Sequence, residues 1–417
     1  MIYSYIDSQK IFSVKKKHLI PFLLITILAF SLSACKKEKG CTDSTALNFN
    51  PDAFNDDGSC LYSLNTPTTY YFERYQQPTA EYSIQNQSLR LIEQLKNNLD
   101  KLASSQGIAA DTIIIQQNLD SLSYYCTYNN DILLYADSIF ANVKNNAIQT
   151  FSVFEGLKGN DLRQHIYLEL LNECFYQQAI FYIDDIMTYN HSSFIDAGDF
   201  VYTAREHAWD IGFGLFGMAT DLSVYDIENL ANGTQISFDS NNNGTIDSLY
   251  EYNYVWTQWA AQRDAISLQN TENEYFTNNI FNNFIVGRTA IVNQKDSLTT
   301  VYESQILQEW ERLIAANLIH YLNATLLEMT KIGTANEDIG LLNEAWTSML
   351  LTAETLTVSP LLQIENITEN VLLLIGTSPN YALPNTNEYE NYISNLLLVR
   401  DRIQNAYDFS SFQTENW

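Results

Sequence analysis

The sequence predicts an all-α fold, with long antiparallel helices arranged in one or two bundle-like halves. Three observations carry this. From about residue 84 onward, apolar residues recur at three- and four-residue steps. Two of the periodic runs pass 25 residues without Pro or Gly, a length that strands rarely reach. Only 7 Pro and 15 Gly occur in 417 residues, and most of them fall between the periodic runs. No repeat at a fixed period of about 20–50 residues stands out, which disfavours a solenoid.

The N-terminal segment lies outside this pattern. Lys15, Lys16 and Lys17 form a basic head, followed by twelve largely apolar residues, Leu19–Phe30. That is too short to span a bilayer and reads as a signal peptide over residues 1–34. The following "LSAC", a small residue directly before Cys35, resembles the lipobox of bacterial lipoproteins. The resemblance implies cleavage before Cys35, acylation of its thiol, and a soluble body held by its lipid at the outer membrane. Losing residues 1–34 removes four lysines and one aspartate, so the net charge moves from −27 to −30. Such a surface repels phosphates, which argues against nucleic acid and against adsorption on anionic lipid; the membrane contact comes from the acyl chains.

Residues 35–66 read as a tether carrying a small module. Cys41 and Cys60 bracket a turn-rich loop with Asn50-Pro51 and Asp57-Gly58. About twenty residues bury too little surface to fold alone, so a Cys41–Cys60 disulfide is expected in an oxidising compartment. The stretch looks like a short cysteine-bracketed repeat of bacterial surface proteins. Its Asp43, Asp56 and Asp57 either gather on a calcium ion or stay solvated. Cys126 and Cys174 also remain after export, and no C-x-x-C spacing occurs.

Helical runs fill residues 67–417. "SLRLIEQLKNNLDKLA" carries Leu89, Ile92, Leu95 and Leu99 on one face. Asp131–Val143, Asp161–Met187, Val301–Met329 and Glu388–Phe409 repeat the pattern. A break over 232–251 suggests a boundary between halves at 67–222 and 252–417.

That break contains "DSNNNGTIDSLYE". Asp239, Asn241 and Asn243 take positions one, three and five of a calcium loop, with Gly244 at the turn. Thr245 offers its carbonyl, and Asp247 ligates directly or through water. Position twelve is Tyr250, so the closing carboxylate, Glu251, is displaced by one residue.

"AREHAWDIGFGLFG" (Ala204–Gly217) places Glu206, His207 and Asp210 within one turn of a helix. Gly212, Gly214 and Gly217 suit close approach by a neighbouring element. The three polar residues are expected to face inward. They either ligate a metal or form a buried hydrogen-bonded cluster that fixes packing. Arg288 and Arg312 lie in apolar helices and are each expected to meet a carboxylate such as Asp210 or Glu206. His165 with Glu169, and His320 near Asn317 and Asn323, are further polar points read as core groups.

The segment resembles the G-x-H-x-x-E signature of imelysin-like proteins, exported helical lipoproteins linked to iron uptake and first described as metallopeptidases. Arg205 stands at the Gly, His207 matches, and Asp210 replaces the Glu. A related lipoprotein domain of unknown function is similar over residues 67–417, through "TYYFER", "NQSLRL", the His-x-Trp-Asp box, "FIVGRTAI" and "AANLIHYLN". Ile211 stands where that domain carries an acid.

The resemblance implies a helical fold of two bundle-like halves and an association with metal (iron) acquisition. Together with the calcium loop, read from its own spacing, the first expectation is a non-catalytic binding protein for a metal or metal complex, with an unidentified protein partner. A metallopeptidase using His207 with Asp210 or Glu206 is the second expectation. H-E-x-x-H, G-x-S-x-G and a P-loop are missing, so no catalytic residue is assigned. With 27 Tyr and 21 Phe, a glycan- or peptide-binding surface is the third.

Overall fold

A computed structural model describes residues 38–42, 49–56, 65–104, 109–125, 136, 141, 159–270, 275–361 and 367–417. The chain divides into two units, Met1–Tyr62 and Ser63–Trp417. In the first, β1 (Glu38–Gly40) pairs in parallel with β2 (Ala53–Asp56). Cys41 and Cys174 are each disulfide-bonded. Cys35, Cys60 and Cys126 fall outside the described residues, and with them the acylation site and the expected Cys41–Cys60 staple.

The second unit is mostly helical. After a minimal hairpin, β3 (Glu73–Arg74) with β4 (Gln77–Pro78), comes α1 (Ser83–Ser104). Leu89, Ile92, Leu95, Leu99 and Leu102 of α1 are all buried, as the periodicity requires. α2 (Ala109–Leu122) packs back on α1. Most of Asp131–Val143 lies outside the described residues.

The run expected as one helix over 161–187 is α3 (Leu162–Leu171), a single π turn (Asn172–Tyr176) and α4 (Gln177–Ile183). A hairpin of β5 (Phe194–Asp196) and β6 (Val201–Thr203) then leads into α5 (Ala204–Phe216), and α6 (Ile227–Ala231) follows. α7 (Val255–Leu268) and α8 (Phe276–Val292) come next, and the α8 N-terminus is capped by α7. Asp264 accepts the amides of Phe276 and Thr277 at 2.7 and 2.9 Å, satisfying donors that no helical carbonyl can reach.

α9 (Asp296–Met329) is the longest element, and α8 and α10 (Ile339–Leu356) pack along it. α11 (Ile367–Ile375), α12 (Asn387–Tyr407) and α13 (Ser411–Asn416) complete the unit. Elements before and after the 232–251 loop share one core, which includes Trp209, Phe284, Trp310 and Trp346.

α5 sits at the centre of these contacts. Thr203 and Glu206 form a reciprocal capping box at its start: Thr203 Oγ1 accepts the Glu206 amide, and Glu206 Oε2 accepts the Thr203 amide. Gly217 ends it at φ 81°, the left-handed conformation that glycine adopts without strain. Gly214 lets residues 82–85 lie against the helix; a Cβ there would sit 2.7 Å from that of Tyr82.

Candidate functional site

Two carboxylates of α5 face two guanidiniums. Arg288, from α8, donates through Nε to Asp210 Oδ1 at 2.8 Å and pairs through Nη1 with Glu206 Oε1 at 3.1 Å. Its Nη2 donates to Thr79 Oγ1 at 3.1 Å. Arg74, from β3, holds Glu206 with two bonds, at 2.7 and 3.0 Å. Tyr70 donates its hydroxyl to Asp210 Oδ1 at 2.6 Å. The Arg288, Glu206 and Asp210 side chains are fully buried.

The sequence segment 70–74 builds half of this cluster by alternation. Tyr70 reaches Asp210, Phe72 lies under the Arg288 guanidinium at 4.9 Å, and Arg74 reaches Glu206. These three sit in the quoted "TYYFER" stretch, whose every-second-residue pattern was the available signal.

Burial raises Glu206, but Arg288 and Arg74 outweigh it and hold the carboxyl down to about 2. Burial pushes Asp210 up to about 6, against Arg288 and Tyr70, which favour its charged form. Burial opposes the Arg288 charge, and Asp210 and Glu206 more than restore it. At neutral pH the four groups form a charge-balanced set.

His207 does not join them. On a helix Glu206 and Asp210 lie about 40° apart, whereas His207 is about 100° round from Glu206. It stacks on Tyr202 at 4.4 Å and bonds the backbone of Glu81, with burial lowering its pKa. Of the three residues expected to share a site, Glu206 and Asp210 lie in an Arg–carboxylate network whose oxygens are occupied, and His207 lies against Tyr202. Among the described residues no group of three or more His, Cys, Asp or Glu is placed to hold a metal ion.

Other predicted groups lie elsewhere. Arg312 donates to the carbonyl of Tyr407, at the C-terminal end of α12, at 3.0 Å and lies over Phe409, away from the acids of α5. His165 and Glu169 share a helix face at 3.6 Å. His320 bonds the backbone of Trp417, and burial followed by Arg263 lowers it to about 3. Asn317 bonds the Leu313 carbonyl, while Asn323 bonds those of Thr414 and Trp417.

The 239–251 loop is organised from within. Asp239 accepts the amides of Asn243 and Gly244, Asn241 accepts that of Asn243, and Asn243 accepts that of Thr245. Glu251, one residue past the closing position, is buried as a clasp. Its Oε1 accepts the amides of Ser240 and Asn241, and its Oε2 that of Asp247.

Beside Tyr70 lies a cavity of about 410 Å³. Six aromatic residues line it: Tyr70, Tyr71, Phe72, Tyr82, Phe200 and Tyr250. Among the described residues, Asp221 is the one charged residue that lines it, and no basic residue does. One face of Tyr70 stacks on Phe213 at 3.6 Å, and Phe72 and Tyr82 meet Tyr70 edge-on at 5.3 and 5.9 Å. The Tyr82 hydroxyl is buried without a protein partner.

The fold and site together define a mostly helical body in which a neutralised ion network backs an aromatic cavity. Among the described residues no helix is long and apolar enough to cross a membrane. In comparisons with known proteins, no family model, curated protein or solved structure matched the chain.

Proposed function

We propose that this is a lipid-anchored, non-catalytic binding protein of imelysin-like type that holds a small ligand in the aromatic cavity. The observation that carries the reading is the contrast between neighbouring sites. Arg288 and Arg74 occupy the carboxylates that would serve a metallopeptidase, whereas the cavity beside them offers unsatisfied surface of ligand size. Anchoring through Cys35, a Cys41–Cys60 staple, the outer-membrane location and the link to iron acquisition rest on the sequence and its resemblance. Calcium in the loop is proposed to use Asp239, Asn241, Asn243, Thr245 and Asp247, supported by Gly244 at φ 85° in the turn position. Glu251 is left out of that set.

The non-catalytic reading is tested on protein purified without a His tag. Wild type and His207→Ala are expected to carry the same transition-metal content and to leave peptides intact. Peptide hydrolysis abolished by His207→Ala would transfer the protein to the metallopeptidases.

A further inference from the structure

We propose that the aromatic cavity takes a small organic cation, an alkylated ammonium, held by ring faces and by the carboxylate of Asp221. This rests on the reading of the cavity as the binding site and adds the chemical class of its ligand.

The walls decide the class. The hydroxyls lining the cavity are largely committed to the protein. Tyr70 donates to Asp210, Tyr71 to Glu73, Thr220 to the Tyr250 carbonyl and Ser240 to Glu251. A sugar needs many such partners and finds few. A bare or hydrated divalent metal needs a shell of oxygens, and rings cannot supply one. A primary ammonium brings three N–H donors, each needing an acceptor. An ammonium whose hydrogens are replaced by methyl groups has no such demand and is attracted by the negative faces of aromatic rings.

The charges agree with that choice. The network beneath Tyr70 contains two carboxylates and two guanidiniums, so it adds no net charge. Asp221, which lines the cavity, gives Oδ1 to the amide and hydroxyl of Ser223, and its Oδ2 has no protein donor among the described residues. At −27, the chain as a whole favours cations over anions.

The test is calorimetric titration of the full chain with choline, with dimethylbutanol (its uncharged carbon isostere) and with glucose. Choline is expected to bind about tenfold more tightly than the isostere, the scale of a cation held against desolvated rings. Tyr71→Ala and Asp221→Asn, both at partly or largely exposed positions, should each weaken choline several-fold with unchanged melting. Equal affinity for choline and dimethylbutanol, or binding of glucose alone, would overturn the cationic assignment and leave the cavity as a site for a neutral ligand. Binding of none of the three by the folded protein would overturn the cavity itself.

Discussion

Arg288 is a buried cation that two carboxylates, Asp210 and Glu206, keep charged, with Thr79 as a further hydrogen-bond acceptor. Removing one partner from such a set leaves the others unpaired in a low-dielectric interior, at a cost of about 3–5 kcal/mol. Arg288→Ala should therefore lower stability by about that amount in urea unfolding of the full chain. His207→Ala, which removes a stacking contact on Tyr202 and a bond to the Glu81 backbone but touches neither acid, should cost less, about 1–2 kcal/mol. The reverse order would mean that His207 belongs to the cluster after all. The pairing of Arg288 with Asp210 was legible in the sequence, because a guanidinium in an apolar helix needs an acid. The roles of Tyr70 and Arg74 were not legible by spacing, since 140 and 132 residues separate them from their partners. Helical phase also misled: three polar residues within one turn looked co-facial, yet the 100° step sends His207 to a different neighbour.

Strong periodicity marked α1 and α12, because each buries one stripe along its length, whereas α9 was marked by its length without Pro or Gly, since it buries seven consecutive residues, Leu313 to Ile319. α7, α8 and α10 were less legible. They bury residues around most of their circumference, and polar groups such as Thr257, Arg263 and Asp264 on α7 sit among the buried ones. The 239–251 loop was legible as a tight Asn/Asp/Gly turn, but not the burial of Glu251, which depends on where the amides of Ser240, Asn241 and Asp247 point. The two roles within this loop separate experimentally. Calcium should raise the melting temperature and chelator lower it by a few degrees, and Asp239→Ala should abolish that response. Glu251→Gln should leave the calcium response intact while lowering stability by about 1–2 kcal/mol, since the amides lose a charged acceptor. A melting curve indifferent to chelator would remove calcium and leave Glu251 as the element that orders the loop.

For the whole molecule, the buried acids and histidines predict a stability maximum on the acid side of neutrality. Burial pushes Glu93 up to about 7, with Tyr252 and Gln258 partly opposing. Burial likewise lifts Glu169 and Glu303 to about 7, reinforced by neighbouring acids. These carboxyls take up protons on folding once pH falls toward 7, whereas the unfolded chain takes them up only near its ordinary glutamate range. Stability therefore rises as pH falls from 8 through 7. The histidines act in the opposite sense. Burial lowers His165, His191, His207 and His320, the last to about 3, so the folded protein keeps them neutral while the unfolded chain charges them below about 6.5. Their contribution is intact above that value and is lost as pH falls below it. Glu206, held at about 2, begins to lose its stabilising contribution only when pH drops into the unfolded glutamate range, and so does not shift the maximum. Several of the groups are partly exposed, and solvent screening reduces what each contributes. The melting temperature should accordingly be about 2–5 °C higher at pH 6.5 than at pH 8. Thermal scans at constant ionic strength across that range measure it. A monotonic rise from pH 6.5 to pH 8 would mean that Glu93, Glu169 and Glu303 are solvated, and that the packing around them is looser than the structure describes.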